Sequence, residues 1–437
     1  MKPYFFWIPA GVVLLLTVLA LIGGFRWVQS YLAGPDFLGM VSNHMGRACH
    51  ATADVEPLVW TGASAATESV KMSGLGGSAL RSLEARQVRA QIDWRAAFSG
   101  AWRVEEITIA HLVGEFEAPG DAPLPMEPAP GAPGRVSGLL PNRFDLRATR
   151  ISRADLRFGE IQAFGVSLEI TPEGRGWKFQ GSGGKLDTPV TPELEIIALD
   201  ARLQDGALSL SSSSLRLGRT GHISASGEFS GPILVTWNSV QAADILPVAW
   251  KPLFEGVFAG EATIESGVFR GRFEASQALL QGVPILMEIA TLTNTPSFRR
   301  MDVQVLSGDF EFREGVLHIS KGILESKNLL RIEGGGRISP DGTLEGGFDI
   351  GVPAEILQWL PGARAKVFTE ARDGYLWAPL RLGGTLQDPT EDLSKRLTAA
   401  IGETAIEAVK PLLDSIPAPA QKAVGEAINS LFDLLGR

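Results

Sequence analysis

The chain has 437 residues, of which 45% are hydrophobic and 20% charged. That balance excludes wholesale disorder, which needs low hydrophobicity and high net charge. Forty Lys and Arg against 49 Asp and Glu leave a net charge of −9, and a chain without a basic block is a poor nucleic-acid binder.

Cys49 is the only cysteine, so no intrachain disulfide and no cysteine-based zinc site is possible. Fifty glycines spread along the chain imply many turns. One stretch alone is long and apolar enough to cross a bilayer, which excludes a multi-span membrane protein. Phe5 to Phe25 carries no charge in 21 residues. As a helix it reaches about 31 Å, one hydrocarbon core. Trp7 and Trp27 lie where interfacial aromatics belong. An uncleaved anchor over residues 1–28 is expected, with the amino terminus cytoplasmic. The rival reading is a cleaved signal peptide, whose apolar region would be shorter and would end in an A-x-A-like site.

Residues 29–117 form a first α+β block, with strand-like pattern from Val55 onward. Residues 118–135 hold six prolines and read as a linker, because proline excludes both helix interior and strand ladder. From 136 to 390 the signal is period two. Val166, Leu168 and Ile170 alternate with polar residues, as do Ile223, Ala225, Gly227 and Phe229, Val303 and Val305, and Leu344, Gly346, Phe348 and Ile350. One apolar and one wet face per strand is the pattern of antiparallel sheet. Asp205-Gly206, Ser266-Gly267, Glu314-Gly315 and Asp341-Gly342 each precede such a strand. Gly supplies the positive φ of a hairpin turn, so a meander is expected. Asp244–Trp250 and Glu355–Leu360 echo one another as one-turn helices between strands.

Residues 391–437 change character. Leu393, Leu397, Ile401 and Ala405 recur at helical spacing, and after Pro417 and Pro419 a second amphipathic helix carries Val424, Ile428, Leu431, Phe432 and Leu435. These helices either pack on the sheet end or meet a membrane or an envelope protein partner.

Chemistry is sparse. The histidines, 44, 50, 111, 222 and 318, are not spaced as metal ligands on one element. Cys49 and His50 are sequence neighbours, which does not make a catalytic pair. The clusters Gly181–Gly184 and Gly334–Gly336 do not open helices, as a phosphate cradle would need. No metal, no cofactor and no catalytic residue is expected, and an enzyme is the third reading after two binding roles.

Three segments carry a resemblance. Val88–Gly100 with Trp102–Ile109 gives two strands joined by a short turn, Gly334–Gly346 a glycine-rich hairpin, and Ala378–Pro389 an apolar strand closing in Gly-Thr and Asp-Pro. With the anchor and the long run of amphipathic strands, the chain resembles the AsmA-like proteins of bacterial envelopes, relatives of TamB and of bridge-like lipid-transfer proteins. It departs from them in its shorter length and its proline-rich linker. The resemblance implies a mainly β fold: an elongated, antiparallel, twisted sheet forming an open taco-like groove, with the N-terminal transmembrane helix and the C-terminal amphipathic helices at its ends. It also implies a single-pass inner-membrane protein, bulk in the periplasm, that binds or conducts phospholipid without catalysis. Candidate groove residues are Leu208, Leu210, Leu215, Leu217, Ile223, Phe229, Phe310, Phe312, Leu317, Ile319, Phe348, Leu380 and Leu382. The same residues would serve equally in the closed core of a β-sandwich. The second functional reading is a structural or assembly scaffold for envelope proteins.

Overall fold

The computed structural model describes Leu32 and residues 34–93, 102–117 and 144–400, apart from 77, 175, 189–192, 205–206, 230, 247, 249, 293–294, 360 and 387. The expected anchor at 5–25, the linker at 118–135 and the tail beyond Ala400 lie outside the described residues. Among the described residues no helix is long and apolar enough to cross a membrane. The fold is mainly β and mostly antiparallel, with 24 strands among the described residues. The chain divides into two compact units between Leu215 and Arg216.

The first unit opens with α1 (Pro35–Cys49). Pro35 sits in its first turn, where a missing N–H is harmless, and His50 ends it in the left-handed conformation at φ 49°. There follow β1 (Ala51–Val55), β2 (Val59–Thr61), β3 (Ser64–Gly74), β4 (Leu80–Asp93) and β5 (Trp102–Phe116), paired antiparallel among themselves. β6 (Phe144–Leu146) and β7 (Thr149–Phe158) instead run parallel to β5. A parallel neighbour requires a long crossover connection, and the proline-rich sequence falls in that connection. β8 (Ile161–Glu173), β9 (Gly176–Ser182), β10 (Lys185–Asp187) and β11 (Leu194–Gln204) return to antiparallel pairing, and β12 (Ala207–Leu217) follows.

One face of this sheet is apolar. Val70, Ala85, Leu112, Ala154 and Val166 stand in line across five strands, all buried. Where α1 lies on it, Phe37 meets Trp60 and Trp102 edge-on, with centroids 6.0 and 5.9 Å apart.

The second unit is a meander. Its strands are β13 (Gly221–Glu228), β14 (Ile233–Gln241), β15 (Phe254–Glu265), β16 (Val268–Gln281), β17 (Arg300–Val303), β18 (Val305–Arg313), β19 (Val316–Ser326), β20 (Leu330–Ile338), β21 (Leu344–Pro353), β22 (Glu370–Arg372), β23 (Tyr375–Gly384) and β24 (Pro389–Glu391). Two of the foreseen turns are two-residue hairpins with positive φ at both positions: Ser266 and Gly267 at 50° and 76°, Glu314 and Gly315 at 52° and 80°. That geometry matches the strand twist. At Asp341-Gly342 the loop is longer, closed by Ser339 N–H donating to the Thr343 carbonyl at 2.9 Å. The turn at 205–206 lies outside the described residues.

The expected alternation at Val303 and Val305 fails. Val303 and Val305 do not share a strand, because the chain bends at Gln304 between β17 and β18. The Gln304 N–H donates to the Glu325 carbonyl, and its side-chain oxygen accepts from Lys327 N–H at 2.7 Å. Val303 is buried and Val305 is 40% exposed. The echoed segments are both single turns between strands: α2 (Ala242–Ile245), and a 3-10 turn at Ile356–Trp359.

Helical pieces inserted between strands cover part of this unit's apolar face. They are α3 (Pro284–Leu292), the 3-10 turn Pro296–Arg299, the turn Ile356–Trp359, α4 (Pro361–Lys366) and helical residues 393–400. Under them Phe298, Met301, Leu330, Ile350 and Leu393 are at most 1% exposed. Of the C-terminal pattern, Leu393 and Leu397 are buried in this core, and Ala400 joins them. The outer edge of β23 is blunted between the short β22 and β24. Pro379 has no N–H, its carbonyl accepts from the Arg396 guanidinium, and Arg381 N–H donates to Asp392 at 2.8 Å.

Candidate apolar binding face

Register decides which side chains share a face. In the second unit Ile223, Trp237, Gly260, Phe273 and Gly308 stand opposite one another across β13 to β18. The next row runs Ala225, Val235, Ala262, Gly271, Phe310, Ile319, Gly336, Gly346, Leu382. The row beyond it runs Gly227, Ile233, Ile264, Phe269, Phe312, Leu317, Ile338, Leu344. These three rows are apolar throughout. A fourth, through Phe258, Ala275, Leu306, Leu324, Ile332, Ile350 and Ala378, adjoins the helix-covered core.

Exposure rises away from the helical cover. Ile350 and Ala378 in the fourth row are 1% and 0% exposed, Phe258, Leu306, Leu324 and Ile332 in that row are half-buried like the large side chains of the three open rows, and Ile264 reaches 36%. Rings connect the two zones. Phe254 meets Phe258 at 5.7 Å, Phe258 meets Phe273 at 6.2 Å, and Phe273 meets Phe310 at 6.5 Å. Phe310 also meets Phe269 at 5.3 Å and Trp237 at 6.0 Å.

Glycines allow those rings to lie along the sheet. A Cβ on Gly260 would come within 2.3 Å of the Trp237 ring, and one on Gly308 within 3.1 Å of Phe273. Glycine inside a strand commonly marks such a close approach. The open rows cross seven strands, β14 to β21 without β17. At about 4.8 Å per strand and about 6.8 Å per row, that is roughly 34 by 20 Å, close to 700 Å². The largest apolar patch on an ordinary monomer is about 300–600 Å².

The opposite face is charged and paired. Arg270 donates to Glu311 at 2.7 Å, Lys321 to Asp309 at 2.8 Å, and Arg337 lies 2.9 Å from Glu345. The Arg270 hydrogen bond holds the Glu311 carboxyl below the usual carboxylate range. In the first unit His111 Nε2 lies 2.8 Å from Asp155, which also accepts from Gly165 N–H at 2.8 Å and faces Arg153 at 3.3 Å. Burial pushes the Asp155 carboxyl up, but His111, Gly165 and Arg153 outweigh it and its pKa is lowered. His44 Nδ1 faces the Met40 carbonyl at 3.1 Å, and His50, His222 and His318 are exposed. Among the described residues no group of three or more His, Cys, Asp and Glu is placed to hold a metal ion.

The residues singled out from sequence fall into different places. Ile223, Phe310, Phe312, Leu317 and Ile319 lie together on the open rows. Phe348 and Leu382 are half-buried where that face meets the helix-covered core, and Leu380 lies within that core at 4% exposure. Leu215 and Leu217 are buried at 7% and 6%, whereas Leu208 is 37% exposed and Leu210 half-buried. Phe229 sits in the turn after β13, 57% exposed.

Sequence reasoning missed Trp237, Phe269 and Phe273, the aromatic centre of the face. Their signal was present: Phe269, Gly271, Phe273 and Ala275 alternate with Arg270, Arg272 and Glu274.

No family model, no curated protein and no solved structure matches this chain.

Proposed function

We propose that the protein is a non-enzymatic envelope protein that binds or conducts phospholipid along an open apolar β-groove between inner and outer membranes. The observation that carries this is the continuous, half-buried aromatic and aliphatic face of β13 to β21, whose footprint of roughly 700 Å² is on the scale of the largest apolar patches of monomers. Acyl chains fit such a surface, since they need apolar area and no directed hydrogen bonds. The charged opposite face keeps the sheet soluble. The AsmA-like resemblance points the same way, with residues 5–25 as the inner-membrane anchor and the bulk in the periplasm. The scaffold reading draws on the tail beyond Ala400; the blunted β23 edge weighs against recruiting a partner by strand addition there.

Native mass spectrometry of the full chain purified from cells, with lipid extraction, tests the reading. Co-purifying phospholipid in defined stoichiometry is the expected result. A lipid-free protein that takes up no labelled phospholipid from vesicles overturns it.

A further inference from the structure

The helix-covered core beside the open face includes the last described residues. Residues 393–400 are helical and bury Leu393, Leu397 and Ala400 in the core that covers the neighbouring part of the same apolar face. Phe348 and Leu382 border that core, and Leu382 is in register with Phe310 and Ile319 on the open rows. Thirty-seven residues, 401 to 437, follow Ala400 in the sequence.

The last of those residues carry a stripe that suits the face. In helical phase, Val424, Ile428, Leu431 and Leu435 fall on one side, and Lys422, Glu426, Asn429 and Asp433 on the other. A helix over 420–436 is about 25 Å long, against about 34 Å of open face across the strands. Residues 401–419 supply ample chain to bring it there.

We infer that residues 420–437 dock as an amphipathic helix on the open apolar face, over Trp237, Phe273 and Phe310. The docked tail occupies the surface assigned above to acyl chains and competes with them. The docking stands on the fold and the tail sequence; its effect on lipid rests on the lipid reading.

The test uses the full chain with Cys49→Ser, which removes the one native thiol. Phe310→Cys is paired with single Cys substitutions along 422–435, and mild oxidation reads out intramolecular disulfides. Crosslinking at Val424, Ile428, Leu431 and Leu435, several-fold above Lys422, Glu426, Asn429 and Asp433, is the expected result. No crosslink, no helical phase, or crosslinks only between two chains overturns the docking, the last naming a second copy as the occupant. In parallel, uptake of fluorescent phosphatidylethanolamine from phosphatidylethanolamine–phosphatidylglycerol vesicles is compared with and without residues 420–437. Several-fold faster uptake by the shortened chain is expected. In-phase crosslinks with no uptake by either chain keep the docking and reject the lipid reading. Uptake without in-phase crosslinks rejects the docking alone.

Discussion

Placing a carboxylate at Phe310 and at Leu380 separates an open face from a closed core. Full burial of a Phe side chain contributes about 1.5–3 kcal/mol, and the half-buried Phe310 gives up about half of that, so Phe310→Asp costs about 0.8–1.5 kcal/mol while its charge stays hydrated. Leu380 is 4% exposed beneath the helical cover. Leu380→Asp loses about 2–5 kcal/mol of packing and leaves an unpaired buried charge at about 3–5 kcal/mol more. The sum is comparable with the whole stability of a domain, about 5–15 kcal/mol. Urea titration followed by far-UV circular dichroism measures the difference. With m near 2 kcal/mol per M, Phe310→Asp moves the midpoint down by about 0.4–0.8 M, whereas Leu380→Asp abolishes the transition of the second unit. A reversibly docked tail adds at most its own docking free energy to the first figure. Labelled phospholipid uptake should fall in Phe310→Asp with the fold intact. If Phe310→Asp unfolds the unit as Leu380→Asp does, the face is sealed and the groove reading is wrong.

Three further outcomes are expected. Gly260→Ala drives a Cβ to 2.3 Å from the Trp237 ring and 2.4 Å from the Arg272 carbonyl, so it should cost about 1–3 kcal/mol and shift the tryptophan emission; an unchanged midpoint would show that the ring does not lie on that glycine. Asp392→Ala removes the acceptor of Arg381 N–H on the β23 edge, which should cost about 1 kcal/mol and promote self-association at high concentration, read by light scattering. Asp155 has a folded pKa below its unfolded value of about 3.9, so its contribution is complete above that pH and is lost as pH falls through the folded value. Asp155→Asn should therefore flatten the acid limb of the stability–pH curve and lower the plateau at neutral pH, measured by urea midpoints from pH 2 to 7; an unaltered acid limb would remove Asp155 from the linkage.

Period two made much of the sheet legible. Val166, Leu168 and Ile170 share a face of β8, and Leu344, Gly346, Phe348 and Ile350 share one of β21, as their spacing requires. The turns at 266–267 and 314–315 were readable because their Gly residues need positive φ. What covers a face was not readable. Leu380 and Leu382 are two residues apart on one strand and identical in pattern, yet Leu380 is buried and Leu382 is half-buried at the core's margin. The difference comes from segments distant in sequence, among them Pro284–Leu292 and residues 393–400, and alternation carries no information about them. Trp237 and Phe273 escaped notice for a related reason. Their cross-strand neighbours are Gly260 and Gly308, which lower the apparent hydrophobicity of the row although they form its floor. The break at Gln304 depended on one side chain bonding a backbone N–H 23 residues away.

The size of the open face argues that it is used. Roughly 700 Å² of apolar surface at about 25 cal/mol per Å² is about 17 kcal/mol of burial left unclaimed, an upper figure because the large side chains are already half covered. Any occupant has to recover enough of that to exceed the entropy it loses on docking. A tail tethered to the same chain holds an advantage, because a short flexible link sets an effective concentration near the mM range. A bilayer offers lipid in far greater local amount only when the protein reaches it. The two occupants then sort by location: the tail covers the face in water, and lipid displaces it at a membrane. Such exchange needs a tail that binds weakly enough to leave. Deleting residues 420–437 should therefore raise the exposure of the face to an apolar dye such as ANS without lowering the urea midpoint by more than about 1–2 kcal/mol equivalent, the scale of a small, partly mobile contact. A loss of stability comparable with Leu380→Asp would instead make the tail a structural part of the core, and exchange with lipid would be excluded.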